Sequence, residues 1–201
     1  MALFGFGKTR EQAFWSWFEK NQLRLFNFEQ ARECVFDELQ NELEKVSTDL
    51  TFEFSPVIEG QREFVVSAEG HMAAFPAVEK LIDCAPKLPQ WRFVKYRQRR
   101  EEMHDLQIGE TTIRASEVEV CIAQDAGKVA LILFIPHEQD AKSLARWGFL
   151  FLDQTLGEYD VSTKVGAIEF HPATAHPDYP RFPLTELPAR FDHAHHELTR
   201  V

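Results

Sequence analysis

The feature that most constrains this chain is its longest apolar run, KVALILFIP over residues 128–136. The run is far shorter than the ~20 residues a membrane-spanning helix needs. It is rich in Val, Ile, Leu and Phe and is bounded by turn residues, Asp125 and Gly127 before and Pro136 at its end. That composition predicts a strand covered on both faces, around which the rest of the chain is arranged.

Helical periodicity dominates before this strand. Thr9 followed three places on by Gln12 reads as a capping box opening a helix over 9–26, whose face carries Phe14, Trp17, Phe18 and Leu25. Asn27, with Gln30 three places on, is expected to start a second helix with a stripe of Ala31, Val35, Leu39, Leu43 and Val46, giving a helical hairpin over 9–47. Leu50, Phe52 and Phe54 then alternate with polar residues. A turn containing Pro56 and Gly60 leads into a strand over 63–68, a helix begins at Phe75 and Pro76, and a strand spans 91–97. This is a strand-strand-helix-strand unit over 50–98.

The same order recurs over 116–170. Val118, Val120 and Ile122 alternate with Glu117, Glu119 and Cys121; the apolar strand follows, then a helix over about 138–156 and a strand over 165–170. Trp147, Phe149, Phe151 and Leu152 lie almost all the way round that helix, and Gly148 permits a close approach to it. Gly157 reads as its stop. Hairpins make antiparallel pairs and strand-helix-strand crossovers permit parallel ones. The prediction is an α+β fold: a mixed β-sheet from two strand-strand-helix-strand units with the N-terminal helical hairpin packed on it, in a single globular domain over 1–201. The Pro- and His-rich tail over 171–201 is expected to run extended over the surface until a short last helix.

Composition bears on partners. With 22 Lys plus Arg against 32 Asp plus Glu, the formal net charge is -10, which disfavours nucleic acid and acidic membrane surfaces. Three widely spaced cysteines, Cys34, Cys84 and Cys121, fall within predicted elements and read as small buried residues of a reducing compartment. The start, MALFGFGKTR, lacks the pattern of a secretory signal, so the expected location is cytoplasmic and no membrane partner is expected. Nothing in the sequence calls for a cofactor.

Candidate sites are few. Gly7, Lys8 and Thr9 end like a phosphate-binding loop, but Ala2 stands where that motif needs its first glycine. Leu3, Phe4 and Phe6 form an apolar cluster that alone gives only marginal surface binding. Trp91, Phe93, Lys95, Arg97 and Arg99 are expected to project from one strand face, combining stacking rings with cations. The acidic total turns this from a nucleic-acid surface into an interaction site for an acidic protein or small anion, centred on Trp91, Lys95, Arg97 and Arg99. Tyr159 and Asp160 are candidates to line a pocket at a sheet end. His171, His176, His193 and His196 are residue types that ligate metal, though their spacing matches no metal motif and no metal site is assigned. No nucleophile elbow or cysteine-nucleophile signature is present, and no catalytic residue is assigned.

FWSWF near the start, AFPAVEKLIDCAPKLPQW in the middle and FLDQTLGEYDVSTKVGAIEF later together resemble stand-alone bacterial proteins of a family of unknown function, over 14–170. The resemblance implies a bacterial cytoplasmic protein and carries over no activity, cofactor or site residue. The functional expectation is a non-enzymatic protein-binding or regulatory module, with homo-oligomerisation through the N-terminal helices compatible with it. The alternative is a hydrolase or metal-dependent enzyme using the His-rich tail.

Overall fold

A computed structural model of the chain describes residues 7–136, 140–176 and 178–200. Leu3, Phe4 and Phe6, the expected helix start near Glu138, and Pro177 lie outside them. The chain falls into two compact units, Met1–Tyr96 and Arg97–Val201, each with its own apolar core. The architecture is α+β, with six α-helices among the described residues and the helical hairpin at the start. Among the described residues no helix is long and apolar enough to cross a membrane.

In the first unit, α1 (Arg10–Phe26) opens with the expected capping box: the Gln12 N–H donates to Thr9 Oγ1 at 3.2 Å and the Thr9 N–H to Gln12 Oε1 at 3.1 Å. Asn27 does not cap the next helix. Its side-chain amide donates back to the Leu23 carbonyl at 2.8 Å, closing α1, and a short 3-10 turn over Phe28–Ala31 precedes α2 (Arg32–Glu44). Strands β1 (Thr51–Phe54), β2 (Arg62–Ser67) and β3 (Trp91–Lys95) form a sheet in that order. β1 and β2 are antiparallel; β2 and β3 are parallel, joined through α3 (Phe75–Asp83).

Because side chains alternate across a strand, Phe52 and Phe54, Phe64 and Val66, and Trp91 and Phe93 share one face of the sheet. The aromatic stripe of α1 packs on that face, with ring centroids 5.2 Å apart for Phe18 and Phe64 and 4.5 Å for Trp15 and Phe93. β3 stops two residues before the expected end because Tyr96 takes φ +61°, which breaks the extended backbone.

The second unit begins with a hairpin that the sequence did not suggest, β4 (Leu106–Ile108) and β5 (Thr111–Ile113). A four-stranded mixed sheet follows, built from β6 (Glu119–Asp125), β7 (Lys128–Ile135), β8 (Val165–Pro172) and β9 (Phe182–Pro183) in the order β8-β7-β6-β9. Thus each strand-strand-helix-strand unit makes its own mixed sheet. β7, the apolar run, is an interior strand buried on both faces. Val129, Leu131, Leu133 and Ile135 enter the core, and Phe134 on the other face is also fully buried.

Asp140 caps α4 (Ala141–Leu156) by accepting from the Lys142 and Ser143 N–H groups. Gly157 ends α4 at φ +79° and leads directly into α5 (Glu158–Lys164). The tail departs from expectation. Phe182 pairs with Val120 in the sheet, and α6 (Leu187–Thr199) buries Leu187 and Phe191 in the core, so this segment completes the unit. Two of the three cysteines also depart from it: Cys121 is buried, whereas Cys34 and Cys84 are exposed.

Candidate binding cleft

Helix α3 starts where Pro76, in its first turn, suits a position without a helical hydrogen-bond donor. It ends with the Cys84 N–H on the Leu81 carbonyl at 3.2 Å and the Ala85 N–H on the Ile82 carbonyl at 3.0 Å. Pro86 and Pro89 cannot continue it, and the Trp91 N–H donates to the Leu88 carbonyl at 3.0 Å, which turns the chain into β3. This end of α3, the proline loop and the first residues of β3 surround an open cleft of about 420 Å³, lined by Ile82, Ala85, Pro86, Lys87, Leu88, Pro89, Trp91 and Phe93. Lys87 is its one charged lining residue among the described residues.

The two rings of the cleft are held from behind. Trp91 and Phe93 lie nearly parallel, 4° between planes and 6.4 Å between centroids. Trp91 packs edge-on against Phe18 at 4.9 Å and Phe26 at 5.6 Å. Phe93 meets Trp15, whose indole N–H donates to the Leu81 carbonyl at 2.7 Å, so one residue of α1 ties α3 to the wall of the cleft. Trp91 is 5% exposed and its indole N–H is buried with no hydrogen-bond partner. Such a donor costs about 1–3 kcal/mol while it stays unpaired. Further along β3, Lys95 Nζ lies 2.5 Å from Asp83 Oδ1, clamping the strand end to the last residue of α3.

The expected four-residue interaction surface therefore divides. Trp91 and Lys95 belong to β3 in the first unit. Arg97 and Arg99 lie beyond the break at Tyr96 and are engaged in the second unit, so they do not share the strand face. The Arg97 N–H donates to Glu158 Oε2 at 3.2 Å and its guanidinium lies 3.4 Å from Asp153. Arg99 forks onto Asp192 with two bonds of 2.8 Å, reaches Asp160 at 2.7 Å and donates through Nε to the Leu156 carbonyl at 2.9 Å. Its hydrogen bonds to Asp192, more than the desolvation that opposes them, hold that carboxyl below its usual range and raise Arg99. Asp160 also takes Lys164 at 2.6 Å. Tyr159, 46% exposed, sits beside it in the first turn of α5. The structure thus joins two predicted residues, Arg99 and Asp160, as an ion pair that fastens α5 and α6 to the chain entering the unit.

The four histidines also separate, into two pairs. His171, next to the end of β8, is bonded to Glu169 at 2.9 Å, with its ring edge-on to His176 at 4.8 Å; His176 stacks on Tyr179 at 4.9 Å. The Arg181 guanidinium lies 3.6 Å from the centroid of the buried Phe134 ring and donates to the carbonyls of Ala173, Ala175 and His176, gathering this loop against the sheet. His193 and His196 are exposed on α6, while His195 stacks on Phe191. Among the described residues no three His, Cys, Asp or Glu side chains are grouped to hold a metal ion.

The sequence singles out Trp91, whereas Pro86 and Pro89, beyond the helix that begins at Phe75, carry no site assignment there. The available signal was the stretch CAPKLPQW, in which Leu88 sits between two prolines just before a tryptophan. Prolines that stop a helix also make a stiff wall. Comparison of the chain with protein-family models, with curated proteins and with solved structures finds no match in any of the three.

Proposed function

We propose that this chain is a non-enzymatic protein-binding module whose contact surface is the cleft between the proline loop and β3. The observation that carries the reading is the lining: two rings fixed by α1, two prolines, three aliphatic side chains and a single cation, Lys87. Rings and prolines lose little conformational freedom on binding, so such a surface keeps most of what it gains by excluding water. The volume is in the range that accepts a few side chains of a partner. Among the described residues the lining carries no carboxylate, histidine, cysteine or hydroxyl, and apart from Lys87 its groups are suited to contact.

Photo-crosslinking in the native host tests this. With a benzoyl-phenylalanine at position 87, one dominant crosslinked species is expected, and none with the same group at the exposed position of Glu110. Leu88→Asp places a charge in the cleft and should reduce the yield about tenfold, the effect of ~1.4 kcal/mol, with an unchanged circular dichroism spectrum. Undiminished crosslinking from a folded Leu88→Asp protein would overturn the reading.

A further inference from the structure

We infer that β3 accepts an extended peptide of alternating apolar and acidic residues as an added strand, with the apolar side chains seated in the Trp91–Phe93 cleft. The inference rests on the cleft being the contact surface, and adds the partner's form and chemistry. β3 is the last strand of its sheet. The Arg62 N–H donates to the Gln90 carbonyl at 2.9 Å and the Tyr96 N–H to the Val66 carbonyl at 2.8 Å, so the even-numbered residues of this stretch turn their backbone groups toward β2. By strand alternation Trp91 and Phe93 turn theirs outward. The Trp91 N–H is used by Leu88, which leaves the Trp91 carbonyl and both backbone groups of Phe93 without a partner among the described residues. A row of such groups on an edge strand is a template for another strand.

The side chains decide which strand fits. Trp91 and Phe93 point to the face on which the cleft opens, so peptide residues on that side are apolar. Arg92 points to the opposite face, its side chain 66% exposed and paired with Glu63 of β2 at 3.0 Å, so an acidic residue on an added strand would share the outer side of the guanidinium whereas a basic one would meet a like charge. Lys87 supplies a second positive group at the cleft itself. Alternation of apolar and acidic residues is the pattern that satisfies both faces, and complementarity with Lys87 and Arg92 selects it over an alternating apolar and basic one.

The test uses the full chain and a library of acetylated, amidated heptapeptides with Ile, Val, Leu or Phe at alternate positions and Asp or Glu between them. The expected result is a binder that slows hydrogen exchange at the Phe93 amide about tenfold or more. N-methylation of that peptide at every second residue should weaken binding about tenfold, by removing a ladder hydrogen bond and adding bulk, while methylation at the intervening residues changes it little. If peptides bind and Leu88→Asp abolishes binding, but N-methylation shows no alternation and the Phe93 amide is unprotected, the cleft reading stands and strand addition fails. If no library member perturbs any amide over 82–93, strand addition also fails, and the crosslinking yield from position 87 alone decides the cleft.

Discussion

Gly148 leaves no room for a side chain. A Cβ there would lie 1.9 Å from Cε1 and 2.0 Å from Cδ1 of Phe170, well inside contact distance, so the ring must swing away before any side chain fits. That ring also packs edge-on against Phe149 at 5.0 Å. Gly148→Ala should therefore destabilise the protein by about 1–3 kcal/mol in urea unfolding, the usual cost of overpacking. The same change in a Phe170→Ala background should cost less, and equal costs in the two backgrounds would mean that this contact is not what excludes the methyl group. A glycine inside an apolar helix was legible as a site of close approach. Which ring approached was not, because β8 meets α4 only through the fold. The same holds for Trp15, whose indole finds its acceptor at Leu81, 66 residues away.

At the scale of elements, helices announced by local signals stand close to where they were read. The capping box starts α1, Gly157 ends α4, and the helix opening at Phe75 and Pro76 is α3. α6 was legible only as a short last helix, and its place in the core was hidden. The prolines before it signal extended chain, and its polar stretch of His193, His195, His196 and Glu197 leaves two buried anchors, Leu187 and Phe191. Those two residues decide whether the helix docks. Phe191→Ala should cost about 3–5 kcal/mol by emptying a fully buried site. His193→Ala, on the exposed side, should stay within about 0.5 kcal/mol in the same thermal unfolding measurement. A reversed order would mean that the tail acts through its histidines and not through packing. β3 was read two residues too long because Arg97 and Arg99 continue an alternating pattern past Tyr96, and pattern alone does not reveal a positive φ.

For the whole molecule, carboxylates paired with cations shape how stability responds to pH. Each unit holds a carboxylate below its usual range: Glu11 through its hydrogen bond to Lys80, at 2.8 Å, and Asp192 through Arg99. A carboxyl whose pKa is lower folded than unfolded stabilises the fold above the unfolded value and loses that contribution as pH falls through the folded one. Stability should thus be nearly level from about pH 7 to 5 and fall below about pH 4, where unfolded carboxyls begin to take up protons first. Asp192→Asn should lower stability at neutral pH and shrink the difference between the variants in acid, measured by urea unfolding across that range; a gap that widened in acid would reverse the sign of the linkage. The sequence by itself determined the α+β class, the two strand-strand-helix-strand runs and the two-faced burial of β7, because periodicity, caps and turn residues act within a few neighbouring positions. Only the tertiary structure decided that each unit closes its own sheet, that Arg99 meets Asp160 and Asp192, that α6 enters a core, and that Trp91 lines an open cleft. Those outcomes depend on contacts between residues far apart in the chain, which local patterns permit but do not select.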